Sequence, residues 1–187
     1  MAEFLLRKTQ AFRVVPLYAV FMEQYPTVRD LAKADPPHVR HIVAPLGLPE
    51  RGAELVEIAR SLIASGKEIE SGYSLLKFAG VGTYIANAVE CLAFRRPAPL
   101  VDGAVGRLLR RLFALAEGKP AYADKPLWEL AQEILQSTSE SCRDVSLGLL
   151  DISATYCKVR NPACIGCPLE KFCAYKQSHT DSAKRTA

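Results

Sequence analysis

Residues 75–87 read Leu75-Leu76-Lys77-Phe78-Ala79-Gly80-Val81-Gly82-Thr83-Tyr84-Ile85-Ala86-Asn87. Apolar residues at helical spacing flank Gly80-Val81-Gly82 on both sides, so this stretch predicts two helices joined by a tight turn. Glycine permits positive φ and lets a ligand's backbone come close. The second helix would open near Thr83, with its first amides unpaired by the helix itself. Such amides bind anions. A plain helix–helix turn would explain the two glycines equally well, and the surrounding chain has to decide.

Working outward, the pattern is helical nearly throughout. Residues 2–24, 28–34, 53–65, 84–94, 104–115, 125–137 and 144–156 carry apolar positions three to four apart. Breaks fall at Pro26, Pro36-Pro37, Pro45 to Pro49, Gly66, Gly80 to Gly82, Pro97 to Pro99, Gly118 to Pro120 and Pro162. No alternating β-branched run is long enough for a sheet, and no internal repeat is evident. The fold class is therefore all-α, with about nine or ten short helices. Residues 16–118 are expected to form one helical lobe, with the hairpin at about 70–94. Residues 1–15 and 119–175 would make a second lobe, and 176–187 a flexible, frayed tail. Trp128, with Leu127, Leu130, Ile134 and Leu135, reads as the apolar face of the second lobe.

Composition sets the outer bounds. The chain has 187 residues, 49% of them hydrophobic, which is enough for a proper core. No apolar run approaches the ~20 residues that span a bilayer, so no membrane is expected. The N-terminus lacks the look of a signal peptide, which points to a reducing compartment. A net charge of +4 is too mild to diagnose a nucleic-acid binder. Arg107, Arg110 and Arg111 stand at helical spacing behind Arg95-Arg96. A phosphate-binding face and a solvated helix face explain them equally.

Two further features carry chemistry. In Leu100-Val101-Asp102-Gly103 the aspartate stands just ahead of a strongly amphipathic helix, where its ordinary role is an N-cap. Then CKVRNPACIGCPLEKFC, residues 157–173, holds Cys157-x6-Cys164-x2-Cys167-x5-Cys173. Structural zinc sites usually bring ligands as two tight pairs, and here only Cys164 and Cys167 form one. The spacing suits a 4Fe-4S cluster, which is wider than one ion and held by four cysteines. Zinc and free thiols are the alternatives. Cys91 and Cys142 lie outside the pattern and read as buried small hydrophobes.

Glycine hairpin, aspartate-started helix and cysteine cluster, in this order, resemble the helix–hairpin–helix DNA glycosylases of the endonuclease III superfamily. The resemblance runs from about Ala2 to Cys173. It implies two helical lobes, a barrel-like one with the hairpin and one binding the cluster, with the active site between them. Double-stranded DNA with a mismatched or damaged base is the implied partner, bound by a monomer in the cytoplasm, on the nucleoid. Gly80, Val81, Gly82 and Thr83 would hold its phosphate.

Bifunctional lyases of this superfamily carry a lysine where this chain has Tyr84. A phenol cannot form a Schiff base, so β-lyase chemistry is not expected. Tyrosine at this place resembles the thymine-DNA glycosylases that act on G·T and G·U mismatches. Ala2 to Thr9 resembles the first helix of that group. Cys142-Arg143-Asp144 with Leu147-Gly148-Leu149 resembles its late helix. The resemblance implies that Asp102 stabilises positive charge on the sugar, that Tyr84 meets the extruded nucleotide, and that Glu3 is a catalytic carboxylate. In adenine glycosylases the matching glutamate protonates the leaving purine. Here it would bind the pyrimidine edge or order the water, unless it is an ordinary helix carboxylate. Arg7, Lys8 and Gln10, with Leu48 in the turn Leu46-Gly47-Leu48-Pro49, match places where relatives probe the duplex, although Leu46 and Leu48 suit a core equally.

The family generally has some two dozen residues ahead of this point, so either the chain is truncated or its start is placed late. An adenine glycosylase acting opposite guanine or oxidised guanine is one rival; such enzymes normally carry a further C-terminal domain. A non-catalytic duplex-binding module is the other. Lys158, Arg160, Lys171 and Lys176 would stand beside the DNA backbone.

Overall fold

A computed structural model of the chain describes residues 1–7, 9–47 and 49–185. Lys8 and Leu48, both expected to touch DNA, lie outside the described residues. Among those described the chain is helical, with ten α-helices and no strand. It divides into two compact units, Met1–Ala86 and Asn87–Ala187. This cuts the chain differently from the lobes anticipated above, because α1 (Ala2–Leu6) buries Phe4 and Leu5 in the core of the first unit.

In the first unit, the periodic stretch 2–24 is two helices, α1 and α2 (Ala11–Gln24). Arg7 leaves helical geometry at ψ 116°, and Gln10 is extended as the N-cap of α2. Thr27 and Asp30 form a reciprocal capping box that opens α3 (Val28–Lys33). Pro36-Pro37 is a helix start rather than only a break, since proline fits a first turn whose amides have no partner anyway. It opens α4 (Pro36–Val43), which leads through a short turn to α5 (Glu50–Ser65). Phe21, Val39, Val43, Val56 and Leu46 meet in the core, which settles Leu46 as a packing residue.

Helices α4 and α5 touch at Gly52. A Cβ there would stand 2.6 Å from the Arg40 amide nitrogen and 2.7 Å from the Val39 carbonyl. Gly52→Ala is expected to cost about 1–3 kcal/mol, the usual penalty of overpacking. Urea titration would read it as a lower midpoint at unchanged slope. An unchanged midpoint would mean that α4 can step aside.

Helix α6 (Thr83–Ala88) carries the chain out of the first unit and widens into a π turn over Val89–Ala93, closed by Phe94 N–H on the Val89 carbonyl at 3.1 Å. The second unit then holds α7 (Gly103–Leu112), α8 (Lys125–Gln136), α9 (Cys142–Thr155) and α10 (Ala174–Arg185). Val105, Leu109, Leu127 and Ala131 form its core, with Trp128 packed against it and donating to the Ala121 carbonyl at 2.8 Å. The segment expected to fray is largely α10. Its first turn is tied down by the Arg111 guanidinium over the Tyr175 ring at 4.6 Å and by the pair of Lys176 with Glu170. Among the described residues no helix is long and apolar enough to cross a membrane.

Candidate active site

The hairpin has the turn that its glycines suggest, with a division of labour between them. Gly80 takes φ +81°, and a Cβ on it would stand 2.6 Å from Arg7 Nη1 and 3.0 Å from the Phe4 ring. Only glycine serves there, on conformation and on space. Gly82 keeps ordinary φ and faces open space, with nothing within 4 Å of a Cβ. Thr83 beside it is exposed. The Val81 amide is spent inside the turn on the Phe78 carbonyl at 3.1 Å. The first bond of α6 runs from Ala86 N–H to the Gly82 carbonyl, so the amides just ahead of it point out of the helix start.

Tyr84 sits in the first turn of α6, half-buried against the core of the first unit. Glu3 is half-buried on α1, the helix whose Phe4 and Arg7 rest on Gly80. Hairpin, Tyr84 and Glu3 therefore belong to one packed body. Arg7 does not project freely. Its guanidinium lies over the Phe4 ring at 5.1 Å and 3.8 Å from Glu54. Gln10 is exposed.

Asp102 belongs to the second unit and caps α7. Its Oδ1 accepts from the Ala104 amide at 2.8 Å and the Val105 amide at 2.7 Å. Among the described residues no hydrogen bond to Oδ2 accompanies them. The carboxylate is half-buried, held by one oxygen with the other left over, and Gly103 beside it faces open space. Capping and a chemical role are thus compatible in one side chain. Asn87, fully buried, donates to the Pro99 carbonyl at 2.9 Å and pins the extended segment that leads to Asp102. A polar residue in the apolar run Tyr84 to Cys91 was the available signal for it.

The arginine cluster is neither of the faces anticipated. Arg107 donates to the carbonyls of Cys157 at 2.8 Å and Ser153 at 3.4 Å. Arg111 donates to Lys158 at 2.7 Å and Val159 at 3.1 Å. Arg110 pairs with Asp124 at 2.5 Å, both largely buried. All three guanidiniums turn inward and hold loops of their own unit.

The loop they hold carries the four cysteines. Cys157, Cys164, Cys167 and Cys173 line one cavity, with Leu108, Leu169 and Tyr156 among its walls. Cys157 is buried and the other three half-buried. Burial raises the Cys164 thiol above its ordinary pKa, and its neighbours Cys173, Cys157 and Cys167 push the same way against Lys176. Four cysteine sulfurs on one cavity are a donor set for a cationic occupant, and Arg111, 3.5 Å from the Cys157 sulfur, adds positive charge. Among the described residues, no group of three or more His, Cys, Asp or Glu is placed to hold a single ion. The donor set fits a four-cysteine iron–sulfur cluster. Lys158, Arg160 and Lys171 are exposed on this loop, while Lys176 is paired. Cys91 is buried beside Cys142 and Ser146, and burial pushes its thiol up to about 12, an inert sulfur.

Comparison with known proteins gives the family and the fold. Residues 1–133 match the family model described as HhH-GPD superfamily base excision DNA repair protein. The chain is 35% identical over 179 residues to a thymine-DNA glycosylase of Aeropyrum pernix, covering 94% of this chain and 80% of that protein. Over 183 residues it is 32% identical to the human adenine DNA glycosylase, covering 95% of this chain and 33% of that longer protein. The solved structure of a thermostable thymine-DNA glycosylase superposes with a TM-score of 0.83 at 34% identity, over 95% of this chain and 82% of the other. The chain belongs to the HhH-GPD superfamily of base excision DNA repair proteins.

Proposed function

We propose that this protein is a monofunctional DNA glycosylase that removes thymine or uracil mispaired with guanine and leaves an abasic site in an intact strand. The observation that carries the reading is Tyr84, half-buried in the first turn after the glycine hairpin, where lyases of the superfamily carry an amine. The identity to a thymine-DNA glycosylase supports the same branch.

The chemistry follows from what each group can do. The target nucleotide leaves the stack, because its glycosidic bond is out of reach inside the duplex. The C1′–N bond breaks, the base departs with the bonding pair and takes up a proton, and water supplies hydroxide to C1′. Positive charge grows on the sugar as this happens. Asp102 offers a fixed negative charge to it, worth far more in a site shielded from water than in solution. Tyr84 holds the extruded nucleotide, and Glu3 binds the pyrimidine edge or orders the water. The hairpin amides and the open face at Gly82 receive a DNA phosphate. Cys157, Cys164, Cys167 and Cys173 would hold a 4Fe-4S cluster, whose contribution is to stiffen the loop.

Duplexes carrying T·G, U·G, A·G and A opposite oxidised guanine, each scored for abasic product, test the reading. Excision of T and U opposite G is expected, with about four iron atoms per chain in the purified protein. Excision confined to adenine would assign the protein to the adenine branch. Duplex binding with no excision at all would leave only a DNA-binding module.

A further inference from the structure

The most unusual charge in the first unit is Arg51, on α5 and only 2% exposed. It shares a face with Leu55 and Ala59, both buried, so a guanidinium occupies a core position. Burial lowers its pKa below the ordinary arginine value, Arg7 nearby adds to this, and Glu54 opposes it. Burying such a cation is costly unless its hydrogen bonds are met. Its contacts all fall on one short segment. Nη1 donates to the Leu5 carbonyl at 2.8 Å and to Thr9 Oγ1 at 3.1 Å, and Nη2 donates to the Arg7 carbonyl. Thr9 Oγ1 in turn reaches the Leu46 carbonyl at 3.4 Å.

Four consequences meet in this one side chain. The end of α1 gains donors for carbonyls that the helix itself leaves open. The chain is held where it turns out of α1 and into α2. The turn after α4 is tied to the same segment through Thr9. Arg7, whose carbonyl is gripped, keeps its guanidinium against Gly80 of the hairpin.

The geometry points to Arg51 as a positioning residue for base excision: it locks Leu5, Arg7 and Thr9 to the Leu46 turn, so that Glu3, Arg7 and the hairpin engage the extruded nucleotide as one rigid body. The proposal rests on the glycosylase reading above, in which these elements meet the flipped base. Arg51 itself touches neither DNA nor the reacting atoms. Its loss misplaces groups without removing any.

Lysine keeps the charge of Arg51 but cannot reach three acceptors at once. Folded Arg51→Lys is expected to excise uracil from a U·G duplex about 100-fold more slowly in single turnover, the scale of an ångström-sized misplacement. Affinity for undamaged duplex should fall far less than the excision rate, and its salt slope should stay as in wild type, since no charged phosphate contact is removed. With 2-aminopurine next to the target, the fluorescence rise on extrusion should shrink in step with the rate. Thr9→Val and Thr9→Ser form a second pair that spares the core charge. Valine is expected to slow excision about tenfold, as for one lost hydrogen bond to a charged donor, and serine to restore it. A folded Arg51→Lys with wild-type rate and fluorescence overturns the proposal. If that variant does not fold, Thr9→Val with an unchanged rate overturns it instead. A wild-type protein inactive on every mismatch overturns the glycosylase reading and this proposal with it.

Discussion

Asp102→Asn is expected to fold normally, bind mismatched duplex as tightly as wild type, and excise roughly 10²- to 10³-fold more slowly, the loss seen when a preorganised electrostatic group is removed. The separation is possible because of how the residue is held. Both cap bonds end on Oδ1, and an asparagine oxygen accepts them as well as an aspartate oxygen does. What disappears is the negative charge opposite the developing cation. Asp102→Ala would be a poorer probe, since it also forfeits the cap, about 1 kcal/mol of helix stability. Single-turnover excision and thermal unfolding together decide the matter. A variant that keeps excision within a fewfold would reduce Asp102 to a cap, and one that fails to fold would show that the cap is its main contribution.

The second large effect is a gain. Tyr84→Lys is expected to convert a protein that leaves strands intact into one that is trapped on DNA by borohydride. An amine at this place attacks C1′ of the ring-opened abasic sugar, water leaves, and the resulting imine is reduced by borohydride to a stable amine linkage. Partial burial of position 84 favours the reaction, because desolvation lowers a lysine pKa and frees the neutral amine. Wild type should give no covalent product under the same conditions. Trapping of wild type would defeat the argument from tyrosine. A folded Tyr84→Lys that is never trapped would mean that residue 84 does not reach C1′.

Local chemistry was the legible part of this chain. Gly80 announces a turn because glycine alone accepts its φ at no cost. Asp102 announces a helix start because an acceptor there meets open amides. The cysteine spacing needs no fold to be read. Periodicity likewise found most helices, and the all-α class matches the family and the solved relative. What stayed hidden depends on partners far away in sequence. The apolar rhythm runs unbroken through residues 2–24, yet the chain turns between α1 and α2, where Arg51 takes two carbonyls from 44 and 46 positions away. Helical spacing told which face Arg107 and Arg111 share, but not that a cysteine loop would cover it. Arg51 left one trace, a charge on the apolar stripe of α5, which is a signal of burial and not of role.

Helix α7 has a consequence for anyone who purifies this protein. Its ten residues make a rod about 15 Å long. Asp102 opens it, and Arg107 at its middle and Arg111 near its end fasten it to the cysteine loop. The loop is therefore the anchorage of the rod, and a chain whose cysteine loop came apart would lose the carbonyls that hold it. Activity should then be counted per chain with an ordered loop rather than per total chain.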